Sequence, residues 1–109
     1  MADKFWKNKR VLITGYEGFL GSHLTKALLE QKAQVCGLDI LTYRKDTILY
    51  NDFDKLNIIK GSVENYKLVS DIIRDNKIEF VFHLAAKSLV GEALRNPLGA
   101  FSKIGRAHV

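Results

Sequence analysis

Three regularly spaced glycines, Gly15, Gly18 and Gly21, are the residues of this chain best suited to hold a phosphate group. They lie between an apolar run and a helical pattern, and this context makes a glycine motif meaningful. Gly15 permits a tight turn, Gly18 leaves room for a pyrophosphate, and Gly21 lets the helix pack closely on the sheet. The helix N-terminus adds free N–H groups. We predict that this loop binds the pyrophosphate of a dinucleotide; ordinary turn glycines are the alternative.

A carboxylate follows the second apolar run of the chain, at Asp39. At this distance from the glycine motif, a carboxylate can accept both hydroxyls of the adenosine ribose and repel a 2′-phosphate. Asp39 therefore favours NAD over NADP as the cofactor, whereas a simple turn residue at a strand end is the alternative. Arg44 and Lys45 follow closely enough to leave NADP as the less favoured choice.

Alternating apolar runs and helical patterns must position these residues. Strands are predicted at 11–14, 35–38, 56–60 and 79–86, and helices at 20–31, from the N-cap Asn65, and from 89 towards Pro97. The predicted buried faces are Leu20, Leu24, Ala27 and Leu28 on the first helix, and Tyr66, Val69, Ile72 and Ile73 on the second. Residues 40–56 are predicted to be a loop with one short helical turn. This order predicts an α/β fold, a partial doubly wound parallel sheet (Rossmann) with strand order 3-2-1-4.

Composition narrows the class of protein further. A length of 109 residues suits one small domain, which we assign to residues 1–103. The N-terminus is charged and the sequence has no long apolar run, so we expect no signal peptide and no membrane segment. The single cysteine, Cys36, is predicted to be buried and favours a reducing, cytoplasmic location. The net charge of +5 is scattered along the chain, which predicts no nucleic-acid partner.

Four stretches of sequence together resemble the extended short-chain dehydrogenase/reductase family, the NAD-dependent epimerases and dehydratases of nucleotide sugars. They read TGYEGFLGSHL, GLDI, GSVEN and VFHLAAKSLVGEALRNP. The opening FWKNKRVLITG and the stretch HLAAKSLV are most similar to sugar-nucleotide 4,6-dehydratases, especially the CDP-glucose type. The resemblance implies a lyase or isomerase that uses tightly bound NAD as a transient hydride store. It also implies a nucleotide-sugar substrate and, for the intact protein, a homodimer.

The resemblance also implies individual contacts with the cofactor. It assigns the pyrophosphate loop to Gly15, Gly18, Phe19, Leu20 and Gly21, the ribose to Asp39 and Ile40, the adenine to Ser62 and Val63, and the nicotinamide side to Leu84, Ala85, Ala86 and Lys87. Ser62 replaces the family's usual aspartate, so we expect a weaker adenine contact or one through the Val63 backbone. Lys87 either contacts the nicotinamide ribose and substrate or is a charge at the crevice rim. We expect His83 to be a satisfied core residue and His23 to face solvent.

The family's catalytic residues, a Tyr-x-x-x-Lys pair with a Ser or Thr, are absent from this sequence. The residues four positions after Tyr16, Tyr43, Tyr50 and Tyr66 are Leu20, Thr47, Asp54 and Ser70. In the family the pair follows the HLAA stretch at some distance, so we expect an N-terminal fragment without catalytic residues and without turnover. A nucleotide-sugar 4-epimerase and a non-catalytic dinucleotide-binding regulatory module are the alternatives. A downstream Tyr-x-x-x-Lys in the full-length sequence would favour an enzyme.

The last six residues, 104–109, fit no continuation of the family. They match one translated reading frame of a widely used sequencing adapter, which predicts a non-native tail. A chain that ends here would leave its fourth strand with an unpaired edge and no fifth strand. Exposed apolar edges favour aggregation, so we expect poor solubility or loose folding of the isolated fragment.

Overall fold

The computed structural model describes residues 4–85 and 101–103 of the chain. Within these ranges the strands are β1 (Arg10–Thr14), β2 (Gln34–Asp39), β3 (Asn57–Lys60), β4 (Phe80–His83) and β5 (Phe101–Lys103). The helices are α1 (Phe19–Glu30) and α2 (Tyr66–Asp75), and a short 3₁₀ turn spans Phe53–Lys55. This turn confirms the one predicted within residues 40–56. No helix of the described ranges is both long and apolar enough to cross a membrane.

The first four strands form a parallel sheet in the order 3-2-1-4, as the sequence predicts. β1 is central, with Leu12 opposite Cys36 of β2 on one side and Val81 of β4 on the other. Such a strand is covered on both faces, and accordingly Val11, Leu12 and Ile13 have no solvent exposure. The carboxyl ends of the parallel strands meet at one edge, where open α/β sheets bind their ligands.

A fifth strand pairs with the outer edge of β4. β5 runs antiparallel to β4, with Phe80 opposite Lys103 and Val81 opposite Ser102. The expectation of an unpaired β4 edge without a fifth strand is therefore wrong, because β5 hydrogen-bonds to it. Three residues are too few for apolar alternation to reveal a strand. Poor solubility of the isolated chain stays a prediction.

A hydrophobic cluster covers each face of the sheet. On one face, Val69 and Ile72 of α2 pack with Leu12 and Cys36. On the other face, Leu28 of α1 packs with a set that also contains Val11, Ile13, Tyr16, Val35 and Leu49. Cys36 is buried, which confirms its predicted position.

α1 buries a different face from the one predicted. Its buried residues are Gly21, Ser22, Thr25 and Leu28. Leu20 is 64% exposed and Ala27 is exposed as well, so the predicted face is wrong at these two positions. The reason is the close approach of α1 to the preceding loop: a Cβ on Gly21 would lie 2.9 Å from Cα of Tyr16. Small side chains therefore face inward.

α2 begins as predicted, because the Asn65 side chain accepts a hydrogen bond from the Leu68 N–H at 3.1 Å. Val69 and Ile72 are buried as predicted, but Tyr66 is 53% exposed and does not belong to the buried face. Several predictions lie outside the described residues: the helix from 89 towards Pro97, the contacts of Ala86 and Lys87, and the tail at 104–109.

Candidate dinucleotide-binding site

The chain leaves β1 through a tight turn at Gly15. This residue has φ +75°, in the left-handed region that favours glycine. Its N–H donates to the Leu38 carbonyl oxygen at 2.8 Å. A Cβ at Gly15 would lie 2.8 Å from the Ala85 nitrogen and from the Leu84 carbonyl carbon. Both the backbone conformation and the close contact with the segment after β4 therefore require glycine here.

Gly18 and Gly21 serve different purposes in the same loop. Gly18 is the N-cap of α1, and its side-chain position is open: a Cβ added there would meet only the Gly15 oxygen, at 3.5 Å. A Cβ at Gly21 would instead overlap the Gly15 carbonyl group. No side chain caps the N-terminus of α1, and its first turn has no acidic residue. Gly18 thus keeps open a positive helix end that suits an anion.

The glycine loop opens on a pocket of about 360 Å³ at the carboxyl ends of the parallel strands. Eight of the predicted residues line it: Gly15, Gly18, Asp39, Ile40, Ser62, Val63, Leu84 and Ala85. Arg44 lines it as well. The fold therefore brings residues from four separate stretches of the chain to one concave surface.

Three further predicted residues do not line the pocket. Phe19 is 82% exposed and Leu20 is 64% exposed at the first turn of α1. Gly21 is buried beneath the loop, where its role is close packing. The side chains of Phe19 and Leu20 are thus not part of the pocket wall, although their backbone belongs to the helix N-terminus.

Both carboxylate oxygens of Asp39 are oriented by the backbone. One oxygen accepts a hydrogen bond from the Glu17 N–H at 3.0 Å, and the other accepts from the Leu41 N–H at 3.2 Å. A carboxylate oxygen can accept more than one hydrogen bond. Asp39 therefore keeps acceptor capacity towards the pocket, in a fixed orientation.

Ser62 and Val63 lie in the turn between β3 and α2. The Ser62 hydroxyl accepts a hydrogen bond from the Glu64 N–H at 3.0 Å, and the Ser62 carbonyl accepts from the Asn65 N–H at 3.0 Å. Val63 is buried against the core beside α2. The hydroxyl of Ser62 thus has a local structural partner, in addition to its place on the pocket wall.

A hydroxyl that the sequence analysis did not single out joins β1 to the end of β4. Thr14 is fully buried, and its Oγ1 accepts hydrogen bonds from the Leu84 N–H at 3.1 Å and the Ala85 N–H at 3.4 Å. A 2.7 Å hydrogen bond connects the same oxygen to Nδ1 of His83. His83 is therefore a satisfied, half-buried residue, as predicted, and Thr14 holds Leu84 and Ala85 at the pocket.

The sequence patterns also gave no role to Tyr16 and Glu17, the two residues between Gly15 and Gly18. Tyr16 has no exposure, and a Cβ on Gly37 would lie 2.7 Å from its ring. Burial, reinforced by the Glu17 carboxylate, raises the pKa of the Tyr16 phenol. A glycine in the middle of a strand often marks such a close approach, so Gly37 was the available signal.

Buried side chains also hold the segment between β2 and β3. Leu49 has no exposure and packs in the cluster that contains Tyr16. Asp52 pairs with Lys26 of α1 at 2.9 Å and with Lys55 at 3.1 Å. Hydrogen bonds from Lys26 and then Lys55 lower the pKa of the Asp52 carboxyl group. This segment, which borders the pocket through Arg44, is therefore attached to α1 and to the core.

No group of three His, Cys, Asp or Glu residues in the described part of the chain could hold a metal ion. His23 is exposed, as predicted, and its Nδ1 lies 2.9 Å from the Phe19 carbonyl oxygen. The site therefore combines an uncapped helix N-terminus with an oriented carboxylate at one pocket.

Comparison with known proteins agrees with this architecture. The family model described as GDP-mannose 4,6 dehydratase matches residues 12–107. UDP-glucose 4-epimerase of Lactobacillus helveticus is 38% identical over 82% of this chain, and CDP-glucose 4,6-dehydratase of Salmonella typhimurium is 35% identical over 100% of it. The chain spans only 26% and 32%, respectively, of the lengths of these two relatives.

Solved structures of similar proteins share the fold. The Bordetella bronchiseptica enzyme WbmH, in complex with NAD+, superposes with a TM-score of 0.64 at 34% identity, over 73% of this chain and 27% of its own. The dTDP-glucose 4,6-dehydratase of Bacillus anthracis, in complex with NAD, has a TM-score of 0.60 at 26% identity, over 72% of this chain and 27% of its own. The predicted α/β Rossmann fold is confirmed.

Proposed function

This chain belongs to the GDP-mannose 4,6 dehydratase family, and from that premise we propose that it forms the NAD-binding part of a nucleotide-sugar 4,6-dehydratase. One observation carries the proposal: Gly15, Gly18 and Asp39 meet at a single pocket at the carboxyl ends of the strands. That is the position where open α/β sheets bind dinucleotides.

The residues that line the pocket have chemical types and positions that suit the successive parts of NAD. The open backbone at Gly15 and Gly18, with the uncapped N-terminus of α1, would hold the pyrophosphate. Asp39 would accept the adenosine ribose hydroxyls, with Ile40 beside it. Ser62 and Val63 would border the adenine, and the nicotinamide side would fall to Leu84, Ala85, Ala86 and Lys87.

Within the reaction, this chain binds and orients. Bound NAD supplies reversible hydride transfer, the chemistry needed to oxidise a sugar at C4 and to restore a hydride after water is lost. Gly15 and Thr14 fix the positions of Leu84 and Ala85, so the apolar wall on that side is rigid. The proton-transfer residues would come from a downstream part of a longer protein, because the sequence contains no Tyr-x-x-x-Lys.

The charges at the pocket support NAD over NADP. The Asp39 carboxylate would repel a 2′-phosphate, whereas it suits two hydroxyls. The Arg44 guanidinium, which could otherwise attract that phosphate, forms an ion pair with Asp46 at 3.2 Å. We also propose, from the family, a cytoplasmic homodimer for the intact protein.

A direct test is calorimetric titration of the full-length protein with NAD. We expect binding, and we expect Asp39→Asn to weaken it about tenfold, since hydrogen bonds to charged groups contribute about 1.5–3 kcal/mol. Asp75→Asn, an equal charge change at the exposed end of α2, serves as the control. Absence of NAD binding by the unaltered protein would overturn the proposal.

A second candidate is a 4-epimerase, which the identity of 38% to the Lactobacillus helveticus UDP-glucose 4-epimerase favours. Incubation of the full-length protein with CDP-, GDP-, dTDP- and UDP-sugars, followed by NMR of the products, separates the candidates. A 4-keto-6-deoxy product indicates the dehydratase, and a 4-epimer indicates the epimerase. NAD binding without any product would indicate the non-catalytic regulatory module.

A further inference from the structure

We propose that Glu17, a buried carboxylate inside the glycine loop, is a positioning residue that sets the preference for NAD over NADP. It does so by restraining Arg44, the cation on the pocket wall that could receive a 2′-phosphate. The inference rests on the proposed function, because it assumes that a dinucleotide occupies this pocket.

Glu17 connects two sides of the pocket through its own hydrogen bonds. Its side chain is 3% exposed, and its carboxylate oxygens accept from the Tyr43 N–H at 2.7 Å and the Arg44 N–H at 3.3 Å. Its backbone N–H donates to Asp39 at 3.0 Å. The carboxylate thus holds the backbone that carries Arg44, whereas the N–H orients Asp39 independently of the side-chain charge.

The bend that Glu17 holds is not a relaxed one. Tyr43 has φ +60°, a left-handed conformation that is unfavourable for a non-glycine residue. A buried carboxylate is also costly unless hydrogen bonds compensate it. The two N–H groups at Tyr43 and Arg44 satisfy the carboxylate, and the carboxylate in turn stabilises the bend. The buried carboxylate and the left-handed bend thus stabilise each other, as expected if Glu17 restrains the backbone at this position.

Two opposite charges, Asp39 and Arg44, therefore line the same pocket, and different contacts hold each of them in place. Asp39 favours ribose hydroxyls, and Arg44 would favour a 2′-phosphate if its guanidinium were released. Two restraints act on Arg44: the Glu17 carboxylate at its backbone and the Asp46 carboxylate at its side chain. Neutralising Glu17 weakens the first restraint and leaves the N–H that orients Asp39. NADP should then gain relative to NAD.

The experiment compares Glu17→Gln with Glu30→Gln in the full-length protein. Glu30 is exposed at the far end of α1, so its substitution makes the same change of charge away from the pocket. Titration calorimetry gives Kd for NAD and for NADP. We expect the ratio of Kd for NADP to Kd for NAD to fall about tenfold in Glu17→Gln and to stay constant in Glu30→Gln. Adding Arg44→Ala to Glu17→Gln should restore most of the ratio.

The outcomes separate this inference from the proposed function. If the unaltered protein does not bind NAD, the proposed function fails. If it binds NAD, but Glu17→Gln weakens both cofactors equally or leaves the ratio unchanged, Glu17 is merely structural and the inference is wrong. Should Glu17→Gln unfold, Glu17→Asp keeps the charge but shortens the side chain, which withdraws its oxygens from the Tyr43 and Arg44 N–H groups. An unchanged ratio in Glu17→Asp would overturn the inference, and a fall of about threefold would support it.

Discussion

Two segments border the same pocket and are held in place by opposite means. The glycine loop, residues 15–21, is fixed by its backbone: Gly15 needs a left-handed φ, and Gly21 has no room for a Cβ. The segment of residues 40–56 is mostly irregular and is fixed by side chains, chiefly Leu49 and Asp52. A backbone constraint can be recognised in the sequence because it requires glycine. A side-chain anchor cannot, because it is an ordinary leucine or aspartate.

We therefore expect substitutions in the two segments to lower the stability of the fold in different ways. In the glycine loop, a single methyl group should cause a large loss at one position and a small loss three residues away. In the segment of residues 40–56, the effect should follow burial and charge pairing. Three experiments test this difference, in order of decreasing expected effect on stability.

Gly21→Ala should have the largest effect. The added Cβ would overlap the Gly15 carbonyl group, and a backbone contact cannot be relieved by a change of rotamer. We expect the free energy of unfolding in urea to fall by about 3 kcal/mol, at the upper end of the usual cost of overpacking. Gly18→Ala is the matched control, because its Cβ would meet only an ordinary contact at 3.5 Å. It should change stability little and weaken NAD binding; equal stability losses would contradict our account of the loop.

Leu49→Ala should come next. Leu49 has no exposure, and truncation of a buried leucine usually lowers the free energy of unfolding by about 2–5 kcal/mol. We expect about 2.5 kcal/mol, since the segment of residues 40–56 can partly close the cavity. Ile48→Ala, the neighbouring substitution at a residue 42% exposed, should have a much smaller effect in the same urea titration. Similar values for both would show that Leu49 does not anchor this segment.

Asp52→Asn should have the smallest effect and a distinctive dependence on pH. Lys26 and Lys55 lower the pKa of Asp52 below its ordinary 3.8, so its ion pairs stabilise the fold above that pH. Their contribution is lost as pH falls through the lowered pKa. Because both lysines are partly exposed, we expect a difference of only about 1 kcal/mol at pH 7.

The control for Asp52→Asn is Asp54→Asn, an exposed residue of the same 3₁₀ turn. Urea unfolding of both variants at pH 7 and at pH 2.5 measures the difference. The gap between unaltered protein and Asp52→Asn should narrow in acid, whereas Asp54→Asn should resemble the unaltered protein at both pH values. A gap of the same size at pH 2.5 and at pH 7 would mean that the ion pairs do not stabilise the fold.

The fold and most of the pocket follow from patterns that local chemistry imposes. Continuous apolar runs predicted the four parallel strands, and the order of the elements predicted the 3-2-1-4 sheet. Asn65 could be assigned as a cap because its side chain satisfies a neighbouring backbone N–H. Eight predicted residues line the pocket for the same reason: they lie at or just after strand ends, which meet at one edge of a parallel sheet.

What the sequence did not reveal depends on contacts between distant residues. The buried face of α1 was predicted wrongly because the approach of α1 to the loop selects small side chains over apolar ones. Thr14 and Glu17 gave no periodic signal, since each acts by hydrogen bonds to residues 22 or more positions away. A partner so remote in sequence is defined only once the sheet has formed.

Because Cys36 is buried, the rate at which its thiol is modified can report how often the surrounding packing opens. The thiol lies on β2 beneath α2, the amide nitrogen of Asn57 donates to its sulfur at 3.6 Å, and desolvation raises its pKa. We therefore expect a thiol-specific reagent to modify it slowly while β2 is packed and faster when this packing opens. As the chain has one cysteine, the modification rate would report the opening of this layer without any engineered label.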